Sequence, residues 1–114
     1  MRTQVTKLED LLAPLKAQLL TESVQTDING CYISDLLSDV LAHAQPGVLW
    51  VTVQTHRNVV SVAATKDITA VLFTGDRNPE PSIVVEAEEQ GIALLRTSFT
   101  TFEAAGKLWE AGIR

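Results

Sequence analysis

The chain has 114 residues, 46% of them hydrophobic, a size and composition suited to one globular domain that needs no metal or disulfide staple. A formal charge of -5, with nine scattered Lys and Arg residues, excludes a generic nucleic-acid partner, which needs clustered basic side chains. A single cysteine, Cys31, excludes an internal disulfide and a thiolate zinc site built from one chain.

The first twenty residues carry Glu9 and Asp10 where a signal peptide needs an unbroken apolar core. No apolar run approaches the ~20 residues that span a bilayer. These features predict a cytoplasmic protein without a membrane segment. Thr6 and Glu9 have the spacing of a capping box. Leu8, Leu11, Leu12 and Leu15 follow at helical spacing, and Pro14 ends that short helix. Residues 17–21, AQLLT, read as a first strand. Residues 23–34 contain Asn29-Gly30 between two short β-prone runs, the usual pair for a type I′ turn, and predict a hairpin.

From Asp35 the period changes. Leu36, Leu37, Val40 and Leu41 mark one face of a helix, with Asp35, Ser38, Asp39 and His43 on the other. Elements then alternate: strand 48–53, helix 58–65, strand 68–73, helix 79–90, strand 92–96 and a last helix. Asn78 is the expected N-cap of the fourth of these, Pro79 its first residue and Gly91 its C-terminal stop. Thr100 and Glu103 form a second capping box. Phe102, Ala105, Trp109 and Ile113 share one side of the last helix. Apolar strands interleaved with helices predict a three-layer α/β domain over residues 1–114, with a mainly parallel sheet covered on both faces.

In such a sheet, ligands bind beyond the carboxyl ends of the strands. Three segments fall there: Thr55, His56, Arg57 and Asn58; Thr74, Gly75, Asp76 and Arg77; Thr97 and Ser98. Hydroxyls, a glycine and two arginines near helix starts suit a small anionic ligand. The plain alternative is that any α/β domain places turns and caps at these ends. His56 has the chemistry of a general base, and equally of a cap. With no second ligand at suitable spacing, it makes no metal site. The sequence has no P-loop, no G-x-G-x-x-G, no H-E-x-x-H and no nucleophile elbow, so neither kinase activity nor a bound cofactor is expected. Trp50 lies in a predicted strand and reads as core. For Trp109, core packing competes with a subunit contact, and Phe102, Trp109 and Ile113 are the candidate interface.

The run from Cys31 onwards resembles the DRTGG domain. Arg57 stands where that family has the Arg of its Asp-Arg pair, and Thr74-Gly75 where it has Thr-Gly-Gly. His56 and Asp76 replace the Asp and the second Gly. Residues 34–44, 50–58 and 102–113 are similar to those of small stand-alone members, including Gln54, Thr55, His56 and Asn58. The resemblance implies the fold of the non-catalytic N-terminal domain of HPr kinase/phosphorylases, also found within some phosphate acetyltransferases and CBS-containing pyrophosphatases. It implies a regulatory or interaction role as a homodimer, sensing a small anionic ligand or nucleotide. It also points to a protein partner in a redox or hydrogenase-related system. The competing expectation is a small enzyme acting on a phosphorylated metabolite through His56 and Asp76.

Overall fold

The computed structural model describes residues 5–22 and 26–114. Among these residues lie the strands β1 (Thr6–Lys7), β2 (Gln18–Leu19), β3 (Asp27–Ile28), β4 (Cys31–Ile33), β5 (Leu49–Thr52), β6 (Ala70–Phe73) and β7 (Ala93–Arg96). The α-helices are α1 (Leu37–His43), α2 (Asn58–Thr65), α3 (Pro81–Gln90) and α4 (Thr101–Glu110), and a 3-10 turn spans Leu8–Leu11. The main sheet has five strands in the order β2-β7-β6-β5-β4. β4 through β7 run parallel, and β2 joins β7 antiparallel. β1 and β3 make a separate two-stranded ladder.

The central strands are apolar up to Thr52 and Arg96 at their carboxyl ends because both faces are covered, and their side chains alternate between two cores. Trp50, Val71, Phe73 and Leu94 pack with Val40, Val59, Val60, Ile83 and Ala87 from α1, α2 and α3. Leu49, Val51, Leu72 and Leu95 pack with Leu8, Leu11 and Leu15, and with Ala104 and Leu108 of α4. This is the three-layer α/β architecture expected from the alternation of elements. Trp50 is fully buried, as a core residue. α2 forms despite three valines because Val59, Val60, Val62 and Ala63 are all buried. That burial outweighs the small helix penalty of β-branched side chains.

Four local expectations are corrected. Thr6 and Glu9 form no capping box: Thr6 pairs with Ile28 in β1, and the 3-10 turn that follows has no side-chain cap. Asn29-Gly30 is not a hairpin turn. β3 pairs with β1, whereas β4 pairs in parallel with β5, so the chain passes straight from one ladder into the other. The Asn29 N–H donates to the Gly47 carbonyl (3.1 Å), and the Gly30 carbonyl accepts from Leu49 N (2.9 Å). Residues 23–25 of that expected hairpin lie outside the described residues. α3 begins at Pro81, not Pro79. A residue before proline is pushed out of the helical region, and Glu80 is accordingly extended (φ -65°, ψ 150°). Gly91 does end α3, in the left-handed conformation (φ 73°).

The helix faces are the fourth correction. α1 starts at Leu37, buries Val40 and leaves Leu36 and Leu41 exposed. α4 turns Ala104 and Leu108 inward, not Phe102 and Trp109. Ile113 is 5% exposed and belongs to the core, so it presents nothing to a partner.

Candidate functional site

Parallel register puts Thr52, Phe73 and Arg96 at one level, so β5, β6 and β7 end along one edge of the sheet. The three predicted segments leave from these ends. Three buried threonines mark the line: Thr52, Thr74 and Thr97. A buried hydroxyl needs a partner, and each has one. Thr52 Oγ1 donates to Asp35 Oδ1 (2.8 Å), which also accepts from Val53 N (2.9 Å). Thr74 Oγ1 lies 2.7 Å from Thr101 Oγ1. Thr97 Oγ1 donates to the Leu15 carbonyl (2.7 Å) and accepts from Phe99 N (3.1 Å). These threonines brace the edge and leave the exposed turns to meet solvent.

The turn after β6 is bound tightly to the turn after β7. Gly75 N donates to the Phe99 carbonyl (2.8 Å), and Asp76 N to the Thr97 carbonyl (3.0 Å). Gly75 and Asp76 are both left-handed (φ 74° and 62°). Glycine takes that conformation freely, and Asp is among the few other residues that tolerate it. The Asp76 carboxylate is thereby brought to Arg96, with which it forms an ion pair. Arg77 folds back over the turn, its Nε 3.5 Å from where a Gly75 Cβ would stand.

The segment after β5 is organised by His56. Its Nδ1 accepts from Asn58 N (3.1 Å), and its carbonyl accepts from Val59 N (3.0 Å). The ring therefore caps the first turn of α2, and the neutral tautomer with Nδ1 as acceptor carries its proton on Nε2. His56, Arg57, Asn58, Gly75, Asp76, Arg77 and Ser98 are exposed, and Thr55 is half-buried. The edge so assembled presents His56, Arg57 and Arg77 around backbone turns, with the charge of Asp76 matched by Arg96.

Sequence reasoning missed Asp35, Arg96 and Thr101. Arg96 carried a signal, being a charged residue that closes an apolar strand. Asp35 carried none, because its partner Thr52 is 17 residues away. Among the described residues, no three His, Cys, Asp or Glu side chains converge to hold a metal ion. Among the same residues, no helix is long and apolar enough to cross a membrane. At the opposite edge, the ends of α2 and α3 flank a cleft of about 290 Å³ lined by Ala64, Asp67, Ile68, Thr69, Gln90, Gly91 and Ile92. It contains none of the predicted residues.

A second polar cluster lies on β4 and α1. Asp39 accepts from the Tyr32 hydroxyl (2.8 Å) and lies 3.0 Å from His43 Nδ1. The Ser34 hydroxyl, the Tyr32 hydroxyl and His43 hold the Asp39 carboxyl below its ordinary value, while the bond to Asp39 and burial raise the Tyr32 phenol. Burial pushes the Cys31 thiol up to about 12.

The DRTGG domain matches residues 10–111. Among solved structures, the fold is similar to the CBS and DRTGG domains of the regulatory region of Clostridium perfringens pyrophosphatase, complexed with its activator diadenosine tetraphosphate. The TM-score is 0.76 at 15% sequence identity, over 90% of this chain and 46% of that one. The chain thus spans about half the length of that regulatory region. No curated protein sequence matches it.

Proposed function

The chain belongs to the DRTGG domain family, and from that membership we propose a non-catalytic regulatory module that senses a small anionic ligand or nucleotide and acts as a homodimer. The observation that carries this reading is the carboxyl edge itself. Arg57 stands exposed at the start of α2, and Arg77 is exposed and folds back over the left-handed turn at Gly75 and Asp76. Exposed basic side chains of this kind recognise phosphate-like anions. That the pyrophosphatase regulatory region binds a nucleotide activator supports a similar role here.

The enzyme alternative is less well supported. His56 Nδ1 is occupied in capping α2, and Asp76 is paired with Arg96. Both are tied to structural tasks, which favours binding over proton transfer.

Calorimetric titration with adenine nucleotides and diadenosine tetraphosphate tests the reading. Saturable binding is expected, weakened at least tenfold by Arg57→Ala with Arg77→Ala, and unchanged by Lys66→Ala on the far side. No heat from any of these ligands at millimolar concentration would sink the sensing role. Steady release of product from them would favour the enzyme instead.

A further inference from the structure

α4 carries two large apolar side chains outside the core. Phe102 is 88% exposed and Trp109 62% exposed, whereas Ala104 and Leu108 hold the helix to the sheet. Trp109 is nevertheless held in place. The Arg114 guanidinium lies 3.8 Å from its ring centroid, and Arg114 Nη1 donates to the Trp109 carbonyl (2.6 Å) and the Ile113 carbonyl (3.2 Å). A fixed exposed ring loses little freedom on being covered, which favours association. Between the two aromatics lies Gly106. A Cβ there would meet nothing within 4 Å among the described residues, so their packing does not require glycine. Glycine inside a helix weakens it relative to alanine. Its use is explained if another backbone must approach closely.

Resting on the homodimer reading, we propose that α4 packs antiparallel against α4 of a second copy, across a two-fold axis between Ala105 and Gly106. The pattern is self-complementary, as a two-fold interface demands. Phe102 and Trp109 each lie ~5 Å along the helix from that midpoint, at 1.5 Å per residue, and seven residues return to nearly the same side. The axis therefore sets Phe102 opposite Trp109 of the second copy, with Gly106 at the crossing. On the flank, Glu103 and Lys107 come within ~1.5 Å of the same level across the axis. Lys107 then faces Glu103 of the second copy as well as Glu110 of its own helix, 3.7 Å away. A pair of ten-residue helices covers less than the roughly 1,200–2,000 Å² of a standard interface, so the dimer dissociates in the micromolar range.

Sedimentation of the full chain over a concentration series, beside its urea unfolding curve, tests this. Gly106→Ala should raise the unfolding midpoint, since alanine favours the helix and its Cβ meets nothing, yet weaken the dimer. Phe102→Glu should weaken the dimer roughly tenfold or more and leave the midpoint nearly unchanged. Gly106→Cys, with Cys31→Ser, should give a disulfide-linked dimer on mild oxidation, and Ser61→Cys in the same background should not. A wild-type dimer that ignores Gly106→Ala and Phe102→Glu would overturn the α4 interface and leave the homodimer standing. A wild-type chain that stays monomeric at high micromolar concentration would overturn both.

Discussion

The hydroxyls of Thr74 and Thr101 lie 2.7 Å apart, tying the end of β6 to the first turn of α4 across 27 residues of sequence. Thr74 is fully buried and Thr101 half-buried, so the Thr74 end of this bond is shielded from water. Thr74→Val keeps the shape and removes the partner. It should cost about 1–3 kcal/mol, the penalty of stranding a polar group, read as a lower urea midpoint with an unchanged slope. Thr74→Val with Thr101→Val should cost less than the sum of the single changes. Strict additivity would show that the two hydroxyls do not interact.

Asp35 fastens the end of β5 by accepting from Thr52 Oγ1 and Val53 N with one oxygen. Asp35→Ala takes away the acceptor of the Thr52 hydroxyl proton, while Thr52 Oγ1 still accepts from Gln54 N (3.1 Å), and frees the loop that leads to His56. The exposed carboxylate places the cost near the low end for charged acceptors, about 1–1.5 kcal/mol. Asp35→Asn retains an acceptor and should recover part of it. Faster amide exchange over residues 53–57 in Asp35→Ala, and little change elsewhere, is the expected local signature.

Asp39 makes stability depend on acid. Its folded carboxyl is held below the ordinary value of 3.8. As pH falls, the unfolded chain therefore takes up a proton first. The contribution of Asp39 is complete above the unfolded value and disappears as pH falls through the lower folded value. Asp39→Asn should thus unfold more easily than wild type at neutral pH, with the difference shrinking below about pH 4. Urea midpoints across the acid range measure it. A constant gap between the two proteins would contradict this origin.

The Cys31 thiol, pushed up to about 12 by burial, stays protonated near neutral pH. The thiolate is the reactive form. A disulfide reagent at pH 8 should modify the native protein slowly and the urea-unfolded protein quickly. Rapid stoichiometric labelling of folded protein would show that Cys31 is open to solvent as a thiolate.

Local pattern alone dictates the alternation of elements and the buried strands. Continuous apolar runs at β5, β6 and β7 can be satisfied only by a sheet covered on both faces, so they specify their environment locally. The capping box of α4 was equally legible, because Thr100 and Glu103 are three residues apart and complete it between themselves: Glu103 N donates to Thr100 Oγ1 (3.1 Å) and Thr100 N to Glu103 Oε1 (2.9 Å). The three strand-end segments followed from the parallel order.

Whatever depends on distant partners is settled only when the chain folds. Thr6 and Glu9 have capping-box spacing, yet Thr6 is drawn into a ladder with Ile28, whose bonds to Thr6 lie 22 residues away in sequence. Asn29-Gly30 has turn chemistry, yet Gly47 and Leu49 take its backbone groups and lead the chain into a parallel strand. On α4, Phe102 and Trp109 repeat at helical spacing as well as Ala104 and Leu108 do. Periodicity measures the angle between residues, not the direction of the core. The small pair faces inward because the sheet beneath α4 is already filled by Leu49, Val51, Leu72 and Leu95, and close packing leaves no volume there for two more aromatic rings.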